Sequence, residues 1–243
     1  MKQVITCVIG MCCALAMPAS AGILENRHAR QCVIVTTESW SSPNGTMSIF
    51  ERAMLDSNWK QHGSTIPVVV GKAGLAWGHG VAAENNEPFK KEGDHKAPAG
   101  IFVLHGVFGY APRAQTKMRY LALSPNIVGV DDPESRYYNQ LIDKTKITKT
   151  DWRTAEEMFR KDDLYKWGVI VDHNVRAKPG AGSCIFLHIW KNSTTPTAGC
   201  TAMSEKNILD LIRWLDPAFA PLLVQLPRPA YDELRDEWRL PKL

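Results

Sequence analysis

A histidine and a cysteine twelve positions apart, His188 and Cys200, are the side chains best suited to covalent chemistry. The first ends an apolar run, Ser183-Cys184-Ile185-Phe186-Leu187-His188-Ile189-Trp190; the second follows a polar loop in Thr197-Ala198-Gly199-Cys200-Thr201. An ordinary imidazole titrates near ~6.5 and takes a proton close to neutrality, whereas an ordinary thiol stays mostly protonated there. Beside a histidine and a helix start the thiol is expected to shift toward thiolate, the form that attacks carbonyls. Gly199 gives the turn room for a substrate, and the amides of Gly199 and Thr201 are candidates for holding a developing oxyanion. The chemistry implied is acyl transfer through a thioester.

The elements positioning this pair read from periodicity. Along a strand, Cys184, Phe186 and His188 share one face and Ile185, Leu187 and Ile189 the other. After the Cys200 turn, Ile208, Leu211, Ile212 and Leu215 are spaced as one buried face of a helix over Ser204 to Leu215. Upstream, strands are expected at Gln31 to Thr37, Met47 to Arg52, Ile66 to Val70, with Pro67 marking an edge, Ile101 to Leu104 and Trp167 to Val171. Glu84 to Lys96 reads as a solvated loop, and Trp77 as core packing. Thr154-Ala155-Glu156-Glu157 has the form of a capping box and predicts a short helix. Leu222 to Leu226 reads as a last strand, and Tyr231, Leu234 and Trp238 as the buried face of a terminal helix. His173 and Asn174, closing the strand before the central one, are candidates either for the pocket or for structural hydrogen bonding. In the middle, Asp131-Asp132-Pro133 and Tyr137-Tyr138-Asn139 read as a surface loop with packed tyrosines or as a cleft wall.

At 243 residues, 44% hydrophobic and 22% charged, the chain suits a globular protein with a sizeable core. Lys2, the apolar run Val4 to Ala16 and Ala19-Ser20-Ala21 predict a cleaved secretory signal over residues 1–21, with residues 22–243 as one catalytic domain. The apolar run is too short to span a bilayer, so no transmembrane segment is expected after cleavage. Losing Lys2 lowers the formal charge from +4 to +3, an excess too small to identify a partner. There is no basic cluster interleaved with aromatics, so nucleic acid is not an expected partner. Of the six cysteines, Cys32, Cys184 and Cys200 remain in the mature chain. Cys32 and Cys184 lie in strand-like runs and are read either as a disulfide leaving Cys200 free, or as separate buried thiols. The histidines form no paired ligand spacing and Cys-x-x-Cys is absent, so neither metal nor cofactor is expected.

Phe186-Leu187-His188 followed by Thr197-Ala198-Gly199-Cys200, with Lys96-Ala97-Pro98-Ala99-Gly100-Ile101-Phe102 upstream, resembles the L,D-transpeptidase catalytic domain of the YkuD type. The resemblance implies a mainly β, L,D-transpeptidase-like β-sandwich with a few flanking helices. It implies Cys200 as nucleophile, His188 as general base, Thr197 and Gly199 as turn residues shaping the oxyanion site, and the Ile189 carbonyl as the group orienting the histidine. The implied substrates are peptidoglycan stem tetrapeptides, and the implied place is the periplasm or another extracytoplasmic compartment. An L,D-carboxypeptidase or endopeptidase of the same fold, and an inactive wall-binding domain, are the alternatives. The chain departs from the family pattern at Ala198, where the family commonly has histidine, and at Ala202, where it often has arginine.

Overall fold

The computed structural model describes residues 22–83 and 88–243. The expected signal segment and the start of the Glu84 to Lys96 loop lie outside the described residues. Among the described residues no helix is long and apolar enough to cross a membrane.

The chain is mainly β. After the short helix α1 (Ile23–Asn26) come β1 (Gln31–Thr37), β2 (Asn44–Glu51), β3 (Lys60–Val69), β4 (Leu75–Trp77) and the long β5 (Ala97–Gly109). Next are β6 (Arg119–Ala122), β7 (Ile127–Val130), β8 (Leu141–Asp143), β9 (Ala155–Glu157), β10 (Trp167–Val171), β11 (Phe186–Ile189) and β12 (Thr201–Met203). The chain ends with α2 (Glu205–Trp214), β13 (Leu222–Pro227) and α3 (Arg228–Trp238).

The main sheet runs β10-β11-β12-β3-β2-β1-β13-β5, and β5 also pairs with β10, so the path returns to its start. The closure lies in β5. Gly100 to Val103 pair with β13, whereas Leu104 and Gly106 to Gly109 pair with β10 across a register shift. The opposite seam is slight, because β12 meets β3 through the single pair Ala202–Val69. Pro67 therefore sits where most of β3 has only β2 beside it, as its missing N–H requires.

The alternation expected around His188 holds. Ile185, Leu187 and Ile189 enter the main core with Val33, Phe102, Leu211 and Tyr231, while Cys184 and Phe186 enter a second cluster with Phe108, Met158, Tyr165 and Cys200. Pairing in β11 starts at Phe186, and Cys184 before it takes a left-handed φ of 53°, outside the β region. The second cluster lies beside a separate three-stranded sheet, β8-β7-β9, built from the stretch least legible in sequence. Here the expected helix at Thr154 is corrected: Ala155 to Glu157 pair antiparallel with β7. A capping box satisfies only a few N–H groups, whereas this ladder pairs the segment's backbone and buries Met158.

The turn after Cys200 is corrected as well. Strand β12 intervenes before α2, which is capped by Ser204 accepting from the Asn207 N–H at 3.3 Å. Ile208, Leu211, Ile212 and Leu215 are buried as expected. The Cys32–Cys184 disulfide is not present: Cys32, Cys184 and Cys200 are free, buried thiols. Cys32 belongs to the main core and Cys184 to the second cluster, on opposite sides of the sheet wall.

Candidate active site

Parallel pairing of β11 with β12 sets Leu187 beside Thr201 and His188 beside Ala202. Cys200 thus falls just before the ladder, next to the start of β11. The Phe186 N–H donates to its sulfur at 3.4 Å, and the thiol donates to the Cys184 carbonyl at 3.5 Å. His188 and Cys200 line one cavity of about 540 Å³, with Gly199, Thr197, Tyr165, Glu156, Asp131 and Lys90 on its walls.

His188 Nδ1 donates to the Ile189 carbonyl at 2.8 Å. A carbonyl only accepts, so in the neutral ring the proton sits on Nδ1 and the lone pair on Nε2. The Tyr165 ring stands edge-on to the imidazole with centroids 5.0 Å apart, and its hydroxyl donates to Glu156 at 2.6 Å. Burial drives the His188 pKa down to about 4, opposed by the carbonyls of Ile189 and Leu164. Burial likewise drives the Cys200 thiol up to about 12, aided by the Glu156 carboxylate and opposed by the Phe186 N–H and the Lys90 charge. This overturns the expected shift toward thiolate. The helix N-terminus lies beyond β12, and desolvation outweighs the charges nearby. The resting pair is a neutral thiol and a neutral imidazole.

The loop before Cys200 is held from both ends. Thr197 Oγ1 donates to the Cys200 carbonyl at 2.6 Å and accepts the Gly199 N–H at 3.1 Å. The Thr197 backbone bonds Val70 and Lys72, docking the loop on the end of β3. Thr197 therefore braces the turn, and the Gly199 amide is committed to its hydroxyl. Thr201 turns away from the thiol: its hydroxyl donates to Gln225 Oε1 at 2.6 Å, and Gln225 Nε2 donates to the Pro98 carbonyl at 2.8 Å.

His173 and Asn174 are not brought to the thiol. His173 Nε2 donates to the Ala181 carbonyl at 2.9 Å and Nδ1 accepts the His79 N–H at 3.3 Å. Burial pushes its pKa down to about 3. Asn174 bonds the carbonyls of Lys178 and Gly182 and the Lys178 N–H. Both brace the glycine-rich loop that leads into Cys184.

Sequence reasoning missed Lys90, Glu156 and Tyr165. Lys90 was read within a solvated loop, yet its side chain is only 4% exposed. Its signal was the neighbouring Phe89, which bridges to Trp77 and draws the segment inward. Glu156 was hidden by the capping-box reading. Asp131 does line the cleft, and Tyr138 is the packed tyrosine, its hydroxyl bonded to Glu92 at 2.5 Å. Among the described residues no group of three or more metal-ligating side chains converges.

The family model that matches this chain is the YkuD L,D-transpeptidase catalytic domain, over residues 51–224. The match spans more than half of the chain and holds both His188 and Cys200, so the protein belongs to that family. Comparisons with curated proteins and with solved structures give no match.

Proposed function

We propose that the protein is an exported L,D-transpeptidase in which Cys200 is the nucleophile and His188 the general base, acting on peptidoglycan stem tetrapeptides. The observation that carries this reading is the Nδ1 bond from His188 to the Ile189 carbonyl, which leaves the lone pair on Nε2 of a ring that lines the cavity holding the thiol. As the sulfur attacks the carbonyl of the third stem residue, the thiol proton passes to Nε2; collapse then expels the terminal D-alanine amine, which leaves with that proton. An acceptor amine from a second stem attacks the thioester, gives up a proton through His188, and the thiol is restored. Water in place of the amine makes the same enzyme a carboxypeptidase or endopeptidase. The signal segment over residues 1–21 would deliver residues 22–243 as one domain to the periplasm or cell exterior.

The burial of Cys200, only 8% exposed and bonded to the Cys184 carbonyl, favours a second reading: a wall-binding domain without turnover. Mass spectrometry of disaccharide-tetrapeptides incubated with the mature protein, Cys200→Ala and His188→Ala separates the readings. Cross-linked dimers or D-amino-acid exchange, lost in both variants, establish the transpeptidase, and tripeptide alone the hydrolase. Unchanged substrate with wild type leaves the binder.

A further inference from the structure

Lys90 is an unusual resident of the catalytic cavity. Its amide bonds the Trp77 carbonyl at 2.8 Å, and its stem runs inward past two glycines. A Cβ built on Gly182 would lie 3.0 Å from Lys90 Cγ, and one built on Gly199, next to the nucleophile, 4.0 Å from Lys90 Cε. The ammonium has three N–H donors. Two are used, toward Asp94 Oδ1 at 2.6 Å and the Lys91 carbonyl at 2.6 Å. Among the described residues the third has no acceptor, and Lys90 lines the same cavity as Cys200 and Gly199.

The anchor is rigid. The Asp94 carboxylate also accepts the N–H groups of Lys91 at 2.8 Å and Lys96 at 2.9 Å, which fixes the counter-charge on the side away from the cavity. Glu92 ties the same segment to Ser183 at 2.7 Å and, through its amide, to Gly180 at 2.8 Å. A charge held this way is strongly felt, because the low-dielectric surroundings weaken its screening. The other ionisable groups facing the thiol and its cavity are Glu156 from β9, Asp131 just after β7, the Cys184 thiol, Arg160, His188, Tyr165, and Glu92, His95 and Lys191. Of the cations, Arg160 is turned to Asp162 at 2.6 Å. With the Gly199 amide committed to Thr197, the Phe186 N–H and the Tyr165 hydroxyl, itself shared with Glu156, are the neutral donors beside the sulfur, and Lys90 adds full positive charge.

We propose that the Lys90 ammonium is the electrostatic partner of Cys200, stabilising negative charge on the sulfur as it ionises and on the carbonyl oxygen that becomes the oxyanion one bond away. The second half of this proposal rests on the acyl-transfer reading above; the first does not.

Alkylation of Cys200 by iodoacetamide, a neutral reagent, is measured from pH 7 to 10 for wild type, Lys90→Met, Lys90→Arg and Asp94→Asn, each checked by near-ultraviolet circular dichroism. Lys90→Met is expected to react about tenfold more slowly at a given pH, and Lys90→Arg close to wild type. Asp94→Asn, which removes the counter-charge and keeps an acceptor, is expected to react faster. It decides the matter should Lys90→Met fail to fold. Superposable profiles for folded Lys90→Met and wild type, or no acceleration in Asp94→Asn, overturn the proposal. In muropeptide turnover Lys90→Met is expected to lower kcat with KM held; a raised KM at unchanged kcat would place Lys90 in ground-state binding and overturn the oxyanion role. Slowed alkylation in a protein whose wild type turns over no muropeptide upholds the charge on sulfur and removes the substrate assignment instead.

Discussion

The backbone N–H of Phe186 points at the sulfur of Cys200 from 3.4 Å. Strand β11 thus places His188 on the pocket face two residues beyond the amide that bonds the Cys200 sulfur. The thiol returns its own proton to the Cys184 carbonyl at 3.5 Å, an orientation available because Cys184 is left-handed at φ 53°. One short segment, Cys184 to Ile189, supplies an acceptor and a donor to the thiol, an imidazole, and the carbonyl that fixes the imidazole's tautomer.

Cys200 is expected to be slow toward alkylating reagents in the resting protein. With burial raising its pKa to about 12, the rate should be low at pH 8 and still be climbing above pH 9. A titration of rate against pH with a midpoint below ~8.5 would contradict the burial account.

Acid should destabilise the fold through its buried histidines. His188 and His173 have folded pKa values lowered to about 4 and about 3, so the unfolded chain binds protons first as pH falls below ~6.5. Stability present above that pH is lost on the way down to the folded values, on the order of 3 kcal/mol for His188 and of 5 kcal/mol for His173. Urea denaturation at pH 7.5 and pH 4.5 measures it. Equal midpoints would mean that neither ring is buried neutral.

The Thr201–Gln225–Pro98 chain joins β12 to β13 and β5 beneath the thiol. Thr201→Val keeps the shape and leaves Gln225 Oε1 without its donor, at a cost of about 1–3 kcal/mol in unfolding free energy. A loss within error would mean that water reaches Gln225.

Gly168 stands opposite His188 in the β10–β11 pair. A Cβ there would lie 2.2 Å from the Phe108 ring, which packs edge-on against both Phe186 and Tyr165. Gly168→Ala should therefore destabilise by about 1–3 kcal/mol and lower turnover by displacing Tyr165 from His188. Wild-type melting and activity would show that Phe108 yields freely.

Thiol titration of the mature chain, denatured without reductant, should count Cys32, Cys184 and Cys200 all free. A single free thiol would restore the Cys32–Cys184 pairing.

Much of the fold was legible because periodicity carries it: the alternation from Ile185 to Ile189, the α2 face at Ile208, Leu211 and Ile212, and the α3 face at Tyr231, Leu234 and Trp238 all end up buried as their spacing requires. Residue type and order single out His188 and Cys200, and the two line one cavity. What failed was local chemistry decided at long range. Glu156 fits a capping box in isolation, but β7 offered its segment a ladder. Lys90 sits among charges, but Trp77 and Asp94 hold it inside. The direction in which the thiol and imidazole titrate depends on how deeply they are enclosed, which no spacing encodes.

The ring of strands is joined between β12 and β3 by one residue pair, supplemented by the backbone bonds of Thr197. Few ladder bonds must break for the loop from Thr197 to Cys200 to swing away from Val69 and Val70, whereas β5 is clasped along both halves of its length. Amide hydrogens beside this seam are expected to exchange faster than those of β5. Cys200 is thus mounted beside the most weakly laddered joint among the described strands of the ring, so the cavity wall that carries it can open locally without unfolding the core.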